Sequence, residues 1–400
     1  MQTLKTFEKA LKENYLPAWR NQLGIEPSAL LGKIKKVPLV SDKIVAAAPT
    51  GLSGGFGFGE EGQSTPSSGN VMFERFTTNA KDMYVNVCIS AKAVRLTGNG
   101  AAMANALDTE VTGAYDTAKW NVGRSLFGDG SGKLAGVKSI SGTTITVDDV
   151  KYLKEGLIID IYDNTSTPAV VTNGAGCRII SINRANKTLT VTTATAGTTI
   201  GAPSATADSN GVKGFITVQN SYNRELTGLG AIFNNSTIYG VSKSANPYLN
   251  PIVADAGGDI TDTFITKALR QAKNDKNSNV DMILCGDDAY DAYREYLRTN
   301  NYRVEENSKT LVGGFKAIKF IFGNKEVDIV NESFVPDKEM WGVDTSCLEL
   351  HTQEWDFATL QGGGIFNLME GQSTYRALLA NYGDLICKNP GGLFKIINCA

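Results

Sequence analysis

The chain has 400 residues, long for one domain and comfortable for two or three at ~100–200 residues each. Hydrophobic residues make up 42%, which supports a sizeable core and excludes disorder throughout. Lys plus Arg is 39 against 41 Asp plus Glu, and the net charge of −2 argues against a dedicated nucleic-acid binder with a basic footprint.

The first residues carry Lys5, Glu8, Lys9, Lys12 and Glu13, which break any apolar signal core. No run approaches the ~18 apolar residues that span a bilayer, so no membrane partner is expected. Leu4, Phe7, Leu11 and Tyr15 recur at helical spacing and predict an amphipathic helix over 3–16. Pro17, Pro27 and Pro38 then punctuate an extended stretch. Residues 1–50 hold eight Lys/Arg and four acids, a formal +4, which leaves −6 for the rest of the chain. Such an arm is either solvated, paired with an acidic neighbour or placed near polyanion.

Residues 51–70, GLSGGFGFGEEGQSTPSSGN, concentrate Gly with Ser, Thr and Pro and predict a long loop that forms no core of its own. Two strand-prone runs follow, opened by Val71, Phe73 and Phe76 and carried on by Tyr84, Val85, Val87, Ile89 and Val94. The strongest helix covers 100–127: Met103, Leu107, Val111, Tyr115, Ala118, Val122 and Leu126 form one apolar stripe. Gly128-Asp129-Gly130-Ser131-Gly132 stops it.

Residues 139–200 change character. Short Thr/Val-rich strands are predicted at 145–147, 157–162, 177–182 and 189–193, the last two joined by a turn at 183–187. They make a small all-β module closed by a small-residue linker, 196–211. From about 215 the pattern is mixed, with helices at 260–272 and 287–299. Strands are predicted at 280–285, 317–322, 326–330 and 341–343, and 383–400 is strand-like.

No catalytic constellation survives inspection. Gly51-Leu52-Ser53-Gly54-Gly55 satisfies G-x-S-x-G, and His351 lies downstream, but the elbow needs a strand before it and a helix after it. That leaves a serine hydrolase using Ser53 as a remote alternative. Gly57–Gly62 satisfies G-x-G-x-x-G, yet no helix opens there and Glu60 and Glu61 would repel phosphate. Gly128–Lys133 fails as a P-loop, and 275–280 lacks the turn glycine of an EF-hand. A single histidine excludes two-His metal centres, and His351 is expected at the surface. Trp341, Trp355 and Phe357 are expected in the core or at an interface. The six cysteines (88, 177, 285, 347, 387, 399) lack a CxxC pair and are expected reduced and mostly buried. Neither a cofactor nor a metal is expected, and the chain is not expected to be an enzyme.

The order of parts, with Ile89–Arg95, Leu126–Val137, Val280–Leu297 and Trp341-Gly342-Val343-Asp344, resembles the major capsid proteins of tailed bacteriophages, whose fold is named after phage Hong Kong 97. That resemblance covers about 50–390. It implies an α+β phage major capsid fold with an N-terminal arm over 1–50, an extended loop over 51–80 and a peripheral domain over 81–138 with spine helix 101–127. An inserted small all-β domain follows at 139–211, then an axial domain with return strands at 212–400. Gly51, Gly55, Phe56, Phe58, Glu60, Glu61, Phe73 and Arg75 would form an assembly interface, and Gly128, Gly130 and Gly132 a hinge.

The function so implied is self-assembly into an icosahedral or prolate shell around double-stranded DNA, as hexamers and pentamers of the chain itself. The short segment before the loop implies a separate scaffolding protein. A portal protein and a decoration protein on the β module are the further expected partners, with packaged DNA held by non-specific proximity only. The location implied is the virion, assembled in the host bacterial cytoplasm. Segment 51–80 contains no lysine, so lysine–asparagine crosslinking is not expected. An encapsulin-like nanocompartment shell is the alternative of the same fold, and a Thr/Val-rich adhesin or tail component is a third reading.

Overall fold

The computed structural model describes residues 16–17, 23, 27–51, 54–62, 64, 67, 69–90, 100–195, 197–258, 260–300, 309–310, 316–358, 365–369 and 371–399. The helix expected over 3–16 lies outside these residues but for its last position, as do Ser53 and most of Ile89–Arg95. The chain divides into two compact units, Met1–Phe127 with Thr227–Ala400, and Gly128–Leu226.

In the first unit the part of the arm from Ser28 to Pro38 is docked rather than solvated. Helix α1 (Ala29–Lys33) is capped by Ser28, whose side chain accepts from Leu30 N–H, and Ala29, Leu30 and Leu31 are buried. Strand β1 (Lys35–Pro38) then runs parallel to a later strand, Leu348–Thr352. Strand β2 (Lys43–Pro49) pairs antiparallel with β3 (Phe73–Asn79), in register from Lys43↔Asn79 to Pro49↔Phe73. The sequence reading left 43–49 in the arm. Its Ala-rich run carries a weak strand signal, and the strand is fixed by its partner: Ile44 and Ala48 are buried with Phe76 on the opposite leg. The extended hairpin therefore spans 43–79, with 50–72 as its tip.

Strand β4 (Lys81–Ser90) leads towards helix α2 (Gly100–Phe127). Within the stripe expected on this helix, Val111, Tyr115, Ala118 and Leu126 are buried and Val122 is half-buried; the side chains of Met103 and Leu107 are outside the described residues. Val111, Tyr115 and Ala118 pack with Val87, Trp355, Phe357, Ala377 and Leu379.

The second unit is a closed six-stranded barrel of β5 (Lys133–Ser141), β6 (Thr144–Val147), β7 (Ile158–Asp163), β8 (Cys177–Asn183), β9 (Thr188–Thr192) and β10 (Gly214–Val218). Val137, Ile145, Ile159, Ile161, Ile179, Leu189, Val191 and Ile216 are buried. The unit is wider than the 139–211 read from sequence, because β5 and β10 close the barrel by pairing with each other. Strand β5 escaped notice because Gly136 and its polar residues break the alternation. Any Cβ on Gly136 would lie 2.8 Å from both Asp148 and Val212, and its N–H donates to Asp148 at 2.7 Å, so glycine is the residue that fits.

The chain returns to the first unit through α3 (Leu229–Asn234) and a seven-stranded mixed sheet. Its members include β11 (Ile252–Gly258), β12 (Met282–Cys285), β13 (Lys316–Phe322), β14 (Lys325–Asn331), β15 (Met340–Val343) and β18 (Phe394–Cys399). Helices α4 (Asp262–Lys276) and α5 (Asp287–Thr299) bury Ile265, Ala268, Leu269, Ala289, Tyr293 and Leu297 in one cluster with Ile283, Ile329 and Phe394. The cap of α4 is Thr261, which accepts from Phe264 N–H. The other sheet centres on β17 (Thr374–Cys387), which pairs antiparallel with β4 and with β16 (Leu348–Thr352).

Candidate assembly interface

The hairpin tip exposes its apolar side chains. Phe56 is 81% exposed and Phe58 95%, and their rings meet edge-on at 5.3 Å. Met72 and Phe73 are also exposed, as are Gly55, Glu60, Glu61 and Arg75; Gly51 is half-exposed. Thr50 N–H donates to Met72 C=O at 2.8 Å, which extends the ladder past β2. Beyond it the two legs meet backbone to backbone: a Cβ on Gly69 would collide with the main chain of Gly54. Glycine at 69 thus lets the legs of the tip close on each other. All eight residues expected at an interface lie on this one hairpin, at its tip or on its returning strand.

A built anchor holds the base of the hairpin, formed by residues far apart in the chain. Buried Asp384 on β17 accepts from Thr78 Oγ1 at 2.5 Å, Thr227 N–H at 2.7 Å, Thr227 Oγ1 at 2.9 Å and Leu385 N–H at 3.0 Å. Burial pushes its carboxyl up from the ordinary value, against the pull of those donors. Beside it, Tyr239 and Gly240 form the two-residue turn of a small hairpin at φ 49° and 83°. A tyrosine in the left-handed region is costly. Here its hydroxyl donates to Leu385 C=O at 2.9 Å and accepts from Cys387 N–H at 3.1 Å. Its ring lies 5.2 Å from Phe76, and its carbonyl accepts from Thr77 N–H. The Tyr-Gly pair between short β-prone runs was the available signal; nothing local marks Asp384.

The basic arm finds acids on its own body. Lys33 Nζ reaches Asp328 at 2.6 Å and Lys35 Nζ reaches Glu349 at 3.0 Å, while Lys388 shares Glu349 at 2.8 Å. Those cations hold the Glu349 carboxyl below its ordinary value, although its partial burial works the other way. Ser28 Oγ donates to buried Glu332 at 2.7 Å. Burial pushes Glu332 up to about 7.

The glycine run after α2 is a set of tight turns. Gly130 and Gly132 adopt φ 83° and 76°, whereas Gly128 does not, and Asp129 Oδ1 accepts from both the N–H and Oγ of Ser131. A Cβ on Gly132 would lie 2.7 Å from Ser221 C=O.

His351 departs from the surface position expected for it. It sits half-buried in β16, with Nε2 3.7 Å from Glu349, and burial lowers its pKa. Trp341, Trp355 and Phe357 are buried, and so are four of the six free cysteines, with Cys88 exposed and Cys347 half-exposed. Among the described residues no group of three His, Cys, Asp or Glu could hold a metal ion, and no helix is long and apolar enough to cross a membrane.

Fold and exposed hairpin together define a capsid-type subunit. The family model described as SU10 major capsid protein matches residues 180–398, more than half of the chain, and the chain belongs to that family. No curated protein matches it in sequence. Among solved structures, the capsid asymmetric unit of cyanophage A-1(L) is 12% identical, covers 94% of this chain and 93% of its own, and superposes with a TM-score of 0.53. The capsid of an empty GTA particle is 9% identical, with 94% and 91% coverage and a TM-score of 0.50. The SrpI encapsulin of Synechococcus elongatus is also similar, at 9% identity, 92% and 85% coverage and a TM-score of 0.43, a likeness too slight to carry the encapsulin alternative. Family membership places the chain among virion proteins.

Proposed function

We propose that the chain assembles with copies of itself into the closed shell of a tailed-phage head around double-stranded DNA, as a structural protein and not an enzyme. The observation that carries this reading is the exposed Phe56–Phe58 tip on an anchored hairpin, in a chain of a major capsid family. Large apolar side chains held together in solvent mark a surface that a partner covers. In this reading the tip lies on a neighbouring copy, with Gly55, Phe56, Phe58, Glu60, Glu61, Phe73 and Arg75 in the contact.

The part built on α2 and β17 is the peripheral domain, the seven-stranded sheet the axial domain, and Gly128–Leu226 the inserted domain. A closed shell asks one chain to make nearly equivalent contacts in rings of five and six. Turns at Gly128–Gly132 are where the inserted domain would take up the difference. A separate scaffolding protein and a portal protein complete the assembly in the host cytoplasm, and a decoration protein would use the barrel.

Negative-stain microscopy of the purified chain, paired with sedimentation velocity, tests the reading. Closed shells, or rings of five and six, are expected. A small oligomer that persists when the chain is co-expressed with the neighbouring phage genes overturns it.

A further inference from the structure

At the end of the seven-stranded sheet where β12 and β14 begin, three segments line a cavity of about 370 Å³ that opens to solvent. They are the last turns of α4 (Leu269, Lys273), the approach to β12 (Ser278, Asn279, Val280) and the tight turn between β13 and β14 (Phe322 to Lys325). That volume falls within the ~300–1,000 Å³ of small-molecule sites. Leu269, Val280 and Phe322 supply an apolar wall. No carboxylate lines the cavity. Asp344, which is buried, already accepts from Ser278 Oγ at 3.2 Å and Asn279 N–H at 2.8 Å.

Several lysines of the same unit are already engaged. Lys276 donates to Tyr248 C=O at 2.7 Å, Lys319 pairs with Glu326 at 2.8 Å, and Lys395 pairs with Glu339 at 3.2 Å. Lys273 and Lys325, which line the cavity, have no such partner among the described residues. Two ammonium groups without a partner among the described residues, beside an apolar wall and two amide side chains, match one chemistry: an anionic head on an apolar body. We propose that this cavity binds a small organic monocarboxylate, the carboxylate between Lys273 and Lys325 and the apolar body against Leu269, Val280 and Phe322. The proposal concerns the folded subunit and does not depend on the shell reading.

The test is calorimetric titration of the purified full-length chain with octanoate, with octanol as the uncharged counterpart. One saturable site is expected for octanoate, with binding weakened about tenfold for octanol and for K273A/K325A. K273R/K325R keeps the charges and is expected to retain binding. Both lysines are exposed, and unchanged melting of each variant without ligand verifies the fold. Absence of saturable binding to the wild-type chain overturns the proposal, as does equal binding by K273A/K325A. So does a silent octanoate titration accompanied by loss of particles in K273E/K325E, which would make the lysines a contact between subunits.

Discussion

Thr78 Oγ1 donates to Asp384 Oδ2 at 2.5 Å, across 306 positions of chain, and so joins the returning leg of the exposed hairpin to the longest strand of the fold. The same carboxylate takes two donors from Thr227, at the point where the chain re-enters the first unit. One buried acid thus fixes the base of a hairpin whose tip stands in solvent. Replacing it by alanine strands one buried and three half-buried donors, at up to ~1–3 kcal/mol each. We expect Asp384→Ala to lower the unfolding free energy by about 2–4 kcal/mol, read from the urea midpoint, and to open 73–79 to proteolysis, with Asp384→Asn between it and the wild type. An unaltered midpoint in Asp384→Ala would remove the anchor from the account.

Phe56 and Phe58 contribute little to the subunit's own core. Surface changes away from packed features stay within ~0.5 kcal/mol. The double variant F56S/F58S should melt like the wild type and yet fail to form particles, read by thermal denaturation and sedimentation of the same preparation. A marked drop in melting temperature would mean that the rings pack within their own chain.

Glu332 gives stability a pH dependence of known sign. Its folded value of about 7 lies above the ordinary 4.5, because burial disfavours the charged form while Ser28 Oγ and the N–H groups of Ala29 and Phe334 oppose that shift. A raised carboxyl contributes stability that is fully present below about 4.5 and is lost as pH rises through about 7. The loss is on the order of 3 kcal/mol. Urea midpoints measured from pH 4.5 to 8 should fall by more for the wild type than for Glu332→Gln over the same window. Parallel curves for the two proteins would contradict this.

Gly342 has no room for a side chain. A Cβ there would strike the ring of buried Phe394 on the adjacent strand. Overpacking of this kind costs ~1–3 kcal/mol. Gly342→Ala should lower the melting temperature, and Gly142→Ala, whose Cβ would enter open space at φ 63°, should lose only the smaller backbone term. Equal losses would contradict a collision with Phe394.

Much of this fold was legible where periodicity is local. The helices expected over 287–299 and 100–127 are found at those bounds, and the spine helix implied by the resemblance, 101–127, differs by one residue at its start. Trp341-Gly342-Val343-Asp344 stood out as a motif, and its reason is physical: Gly342 admits Phe394, while Asp344 accepts from Ser278, Asn279 and Ser346. Strands β2 and β10 were not legible because long-range partners make them strands, and β5 because Gly136 interrupts its alternation. The exposed tip was legible because Gly, Ser and Pro around Phe56 and Phe58 cannot form a core. The anchor at Asp384 was not, since it joins residues 78, 227, 239 and 384 only after the sheets have formed.

A cryo-electron reconstruction of the assembled particle tests the central claim most directly. The account predicts that the tip around Phe56 and Phe58 lies on a second copy of the chain, with both rings buried. A closed particle in which both rings remain in solvent would contradict it.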